Sequence, residues 1–221
     1  MMLNKWQEGF FFLLPVIYFV KDFLFGEKKL VLIAKGLIMC LVAFIMFIPQ
    51  LLVWKAVNGG YFSFCPEALK IMNFSHPQIF AYLFGWQHSL IATTPIILLA
   101  LIWTYFFVKK EKFFGFSLIA TLALLIYINS SLTEFGGNAF GARRFIDCML
   151  IFALFLAALL ERLDGLKWKD LLFGLISTCV VWNLIYFLQY NLNLINRTLA
   201  VTPGMLIENI PKIIPLIVRL L

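Results

Sequence analysis

Five apolar stretches, 31–54, 90–108, 113–129, 145–160 and 171–190, each come close to the roughly 20 residues a helix needs to cross the hydrocarbon core of a bilayer. A sixth, 9–25, reaches that length only if Lys21 and Asp22 sit near a membrane surface, with Lys21 extending its ammonium outward. Open strands would leave backbone groups unpaired in lipid, and none of these stretches alternates as a barrel strand does, so helices are the expected solution. The expectation is an all-α, polytopic transmembrane bundle of about six helices, in a range of about five to seven, over 1–221 as a single transmembrane domain.

Composition agrees. Hydrophobic residues make up 63% of the 221 and charged ones 13%, with 25 phenylalanines. A soluble domain of this size leaves too much surface exposed to hide them. The charge of +7 does not point to nucleic acid, because the 18 lysines and arginines lie in small clusters between apolar runs. Topology accounts for them. Lys21, Lys28, Lys29 and Lys35 flank the first connection, Lys109, Lys110 and Lys112 crowd the third, and Arg162, Lys167 and Lys169 fill the fifth. The positive-inside rule makes these three connections cytoplasmic and both termini and both long connections external. The localisation this implies is the cell inner (cytoplasmic) membrane, multi-pass. The opening lacks a small-residue cleavage site before Lys21-Asp22 and reads as a membrane segment, not a removed signal peptide. An external N-terminus without a signal sequence suits the back half of a larger chain.

Pro15, Pro49 and Pro95 fall inside three of the helices and predict kinks. Trp54, Trp86, Trp168 and Tyr190 stand near run ends, where amphipathic rings favour the headgroup layer. The outer connection 55–89 is long and apolar enough to hold a short surface helix. In the tail, 191–221, Ile207, Ile210, Ile214 and Ile217 share one side of a helix and Glu208, Lys212 and Arg219 the other. Such a helix suits the membrane interface, or it packs on its neighbours; Pro211 and Pro215 interrupt it either way.

Polar chemistry concentrates in two places. "EFGGNAFGARRFID" joins two apolar runs. Gly136, Gly137 and Gly141 allow close backbone approach to an anion, Arg143 and Arg144 offer guanidinium forks that suit phosphate, and Asp147 follows at i+4 and i+3, within reach of either arginine. The plainer alternative is a glycine turn, two arginines reaching out of the membrane edge and an aspartate complementing a helix N-terminus. Asp147 is costly against lipid, so it should face the bundle or a wet cavity. In "FGWQHSLIATTP", His88 could donate to a phosphate or a sugar hydroxyl and Trp86 could stack on a sugar; alternatively the stretch is an interfacial belt with Ser89 as N-cap. Cys40, Cys65, Cys148 and Cys179 show no metal spacing, no metal or other cofactor is expected, and no catalytic motif with known spacing is present. The catalytic residues are therefore unassigned.

The order "FGWQHSLIATTPIILLAL", a lysine connection, a helix, then "GGNAFGARRFIDCMLIFALFLA" resembles the C-terminal part of bacterial GT-C-type multi-spanning glycosyltransferases, relatives of protein mannosyltransferases and lipid A aminoarabinose transferases, over about 40–160. The resemblance implies a polyprenyl-phosphate-linked sugar donor used at the outer face with inversion. It also implies that Trp86, His88, Gly136, Gly137, Gly141, Arg143, Arg144 and Asp147 line or support the donor pocket. The class carries its catalytic aspartate in a first outer loop, within an N-terminal half that has no counterpart here. The expected partners are thus membrane lipid, the sugar donor and a missing N-terminal half or partner subunit, with no nucleic acid. The competing expectation is a non-catalytic multi-pass scaffold or partner subunit.

Overall fold

The computed structural model describes residues 11–26, 29–61, 72–86, 89–132, 142–163, 167–196 and 200–220. Among them every regular element is helical, apart from an isolated antiparallel bridge between Met72 and Leu132. The chain divides into two compact units, Met1–Ile71 and Met72–Leu221.

The first unit pairs α1 (Leu13–Phe25) with α2 (Lys29–Asn58). Gly36 lets the ring of Phe19 lie against the α2 backbone; a Cβ there would stand 2.7 Å from Phe19 Cε2. Pro15 does not kink α1. It lies in the first turn, where its missing N–H would have had no helical partner. Pro49 lies within α2, whose helix runs through it from Lys29 to Asn58.

The second unit begins with α3 (Ile79–Phe84) and α4 (Leu90–Thr93) and continues through α5 (Ile96–Lys110), α6 (Lys112–Ser130), a 3-10 turn (Arg143–Cys148) running into α7 (Met149–Leu163), α8 (Lys169–Asn191) and α9 (Pro203–Leu220). α5 and α6 form a tight hairpin about Glu111. Gly115 permits their close approach, since a Cβ would lie 2.9 Å from Val108 Cα. α7 packs along α5, with Phe155 edge-on to Phe107 at 5.4 Å, and Leu99, Leu159 and Cys179 join α5, α7 and α8 in one core. A second core of Tyr186, Ile195, Val201 and Leu206 fastens α9 to the last turns of α8. Lys110 Nζ bonds the Glu161 carboxylate at 2.6 Å, so the C-terminal ends of α5 and α7 meet at the lysine-dense end of this unit.

The stretch 90–108, expected as one kinked helix, is broken in two. Thr94 leaves helical geometry at φ −135°, ψ 71°, since Pro95 after it disfavours the α region. The break exposes the carbonyls of Ala92 and Thr93, and α8 satisfies both. Trp182 Nε1 donates to Ala92 O at 3.0 Å, and Asn183 Nδ2 to Thr93 O at 2.8 Å and to Thr94 Oγ1 at 3.2 Å. A proline alone bends a helix; a proline whose freed carbonyls find fixed donors can end one.

Three described helices, α2, α6 and α8, are long and apolar enough to cross a membrane. α5 and α7, at 15 residues each, approach that length only together with the short elements that precede them.

Candidate functional site

The end of the second unit opposite the Lys110–Glu161 contact gathers Trp86, Arg143, Arg144 and Asp147. It is assembled from the C-terminus of α6. There Ser130 O accepts the Gln78 N–H at 2.8 Å, Ser131 O accepts the Asn73 N–H at 2.6 Å, and Tyr127 donates its hydroxyl to Phe74 O at 2.8 Å. These bonds pin the segment 73–78 and so set the start of α3, which carries Tyr82 inward, 4% exposed. Within 55–89 the described residues hold the six-residue helix α3, and 62–71 and 87–88 lie outside them.

Arg143 to Cys148 wind as a 3-10 helix, not as the first turn of the α-helix expected from sequence. Side chains three apart then eclipse, and exposure follows a period of three. Arg143 and Ile146 are exposed, Arg144 and Asp147 half-buried, Phe145 and Cys148 buried. This winding changes the expected pairing. An α-helical register would bring Asp147 beneath Arg143 at i+4, whereas the 3-10 register aligns it with Arg144 and turns Arg143 outward. Phe145 meets Tyr82 edge-on at 6.5 Å, and Arg144 Nη1 donates to Tyr82 Oη at 3.2 Å. One buried tyrosine therefore anchors the junction twice, by its ring and by its hydroxyl. The bond occupies one of the five guanidinium N–H donors of Arg144.

Trp86 is 47% exposed at the same end, and its backbone carbonyl accepts the Val201 N–H at 2.8 Å, tying the α3–α4 connection to the start of α9. Ser89 holds the N-cap position of α4 without capping it: its hydroxyl makes no bond to the helix, and its carbonyl accepts from Thr93 Oγ1 at 2.7 Å. Ser89 Oγ, Asn129 Oδ1 and Ser130 Oγ are buried without a hydrogen-bond partner. Asn129, part of a sequence pattern for glycosylation, is 1% exposed and closed to modification. His88, Gly136, Gly137 and Gly141 lie outside the described residues.

Sequence reasoning passed over Tyr82, Trp182, Asn183 and Gln189. The available signal was an amide inside the apolar stretch 171–190, since a polar group at that depth must find a partner. Gln189, fully buried, donates to Leu206 O at 2.6 Å. Among the described residues no group of three or more His, Cys, Asp or Glu is placed to hold a metal ion. Comparison with protein-family models, curated proteins and solved structures finds no match for this chain.

Proposed function

We propose that this chain is a multi-pass membrane protein of about six crossings, and that it forms the C-terminal membrane portion of a GT-C-like glycosyltransferase. In this reading it holds the phosphate of a polyprenyl-phosphate-linked sugar at the outer face of the cytoplasmic membrane and is not catalytically complete alone. The observation that carries the reading is the Arg144–Tyr82 contact. A half-buried guanidinium is held by a buried tyrosine at the end of the second unit opposite the Lys110–Glu161 contact, the end where Ser89 Oγ, Asn129 Oδ1 and Ser130 Oγ are buried without partners. Orientation of a planar donor fork before binding is what recognition of phosphate oxygens requires. Arg143, exposed one position earlier, supplies a second cation, and the open face of Trp86 offers a surface for a sugar ring.

Changing Arg143 and Arg144 together to glutamine should weaken polyprenyl-phosphate-sugar binding about a hundredfold, taking about 1.5 kcal/mol for each charge-assisted bond lost. Tyr82→Phe, which leaves the charge and frees the fork, should weaken it about fivefold. Unchanged binding by the double variant removes the site. Mass spectrometry of detergent-purified protein provides the companion readout, through co-purifying polyprenyl phosphate. The second reading, a membrane scaffold or partner subunit, draws on α2, none of whose 30 residues is buried. Purified protein that carries a stoichiometric protein partner and no polyprenyl phosphate would favour it.

A further inference from the structure

We infer that α9 lies in the headgroup–acyl boundary of the bilayer at the Arg144 end of the second unit, as an interfacial lipid anchor. This inference rests on the membrane reading above. The helix has three faces. Leu206 and Ile213 are buried and Asn209 and Leu216 half-buried, forming the side that packs on the protein. Ile207, Ile210, Ile214 and Val218 are exposed and fall on a second side, next to the first. Glu208 and Lys212, both exposed, occupy the third. The side chains of Ile217 and Arg219 lie outside the described ones. Packing on neighbours and contact with the interface, alternatives in the sequence, thus belong to different faces of one helix.

Two observations select lipid as the occupant of the second face. The first is continuity. α8 exposes Val180, Val181, Leu184 and Phe187, the flank of a helix fit to cross a membrane, and ends at Asn191. α9 is fastened to that end by the Gln189 bond to Leu206 O at 2.6 Å and by Asn209 Nδ2 donating to Leu194 O at 3.2 Å. α9 therefore starts at the level along the bundle where α8 ends.

The second observation fixes the depth. Pro211 and Pro215 lack N–H groups, which removes the helical donors for the carbonyls of Ile207 and Pro211. Ile207 and Pro211 are both exposed. Carbonyls without donors are costly inside hydrocarbon and are readily bonded by water at headgroup level. A helix of 18 residues carrying two such carbonyls, an exposed Glu208 and an exposed Lys212 is suited to lie at the surface and not to cross.

The test uses the full chain in lipid nanodiscs, with p-benzoylphenylalanine introduced singly in place of Ile214, Glu208 or Val181. Illumination should attach phospholipid at 214 and 181, with about tenfold less at 208. A 214 adduct to a second copy of the chain or to another protein overturns the inference. So does an absence of lipid at 214 while 181 acquires it. Absence of lipid at 181 as well would bring down the membrane reading and the anchor together, so the two failures are told apart.

Discussion

α2 and α6 are both apolar enough to cross a membrane, yet they are packed in opposite ways. α2, the longer and more hydropathic, buries none of its residues. α6 buries nine of its 19, among them Gly115, Ser117, Thr121, Asn129 and Ser130. In water the oilier helix would be the core. In a bilayer lipid tails solvate leucine as well as another helix does, so burial follows shape and polar pairing. Small residues let α6 approach α5, and its hydroxyls bond back to its own carbonyls, Ser117 Oγ to Phe113 O at 2.8 Å and Thr121 Oγ1 to Ser117 O at 2.9 Å. Of the three described helices fit to cross a membrane, the least apolar is therefore the most deeply buried.

This contrast can be broken by substitution. Leu122→Ala in α6 should cost about 2–3 kcal/mol in denaturant titration of the detergent-solubilised protein, mostly as a cavity, because detergent reduces the transfer contribution. Leu41→Ala, on the exposed surface of α2, should stay within about 0.5 kcal/mol. Equal losses would mean that α2 has a packed partner. A smaller effect is expected from the glycines. Gly115→Ala pushes a methyl toward Val108 Cα and should cost about 1–2 kcal/mol, whereas at Gly36 the opposing atom is a ring edge of Phe19 that can swing aside, for less than about 1 kcal/mol. If Gly36→Ala proves the more damaging, the tight approach belongs to the first unit instead. Asn183→Leu takes the donor from the Thr93 carbonyl at the α4–α5 break. It should lower stability by about 1 kcal/mol, with Asn183→Gln recovering part of the loss.

Much of the helix map was legible in sequence. The stretch 113–129 became α6, 171–190 became α8 and 31–54 became α2, because an apolar run in lipid must close its hydrogen bonds internally. Boundaries were less so. Pro95 was visible, but whether it would bend or divide its helix depended on Trp182 and Asn183, about 90 residues away in sequence. At the candidate site, Arg143, Arg144 and Asp147 stood out by charge, and Trp86 by its position at a run end. Tyr82 did not, since nothing local distinguishes an aromatic that will meet Phe145 and Arg144 from the other rings nearby.

From the order of its residues alone, this protein was bound to be helical and to carry several segments of membrane-crossing length. Those outcomes follow from hydrogen bonds closed within one segment and from the cost of charge in hydrocarbon, both local properties. Tertiary structure decided which crossing-length helix was buried, how residues 143–148 wind and which arginine turns inward. Each of these depends on groups distant in the chain, the Gly115–Val108 approach and the Tyr82 ring among them, whose meeting no local pattern encodes.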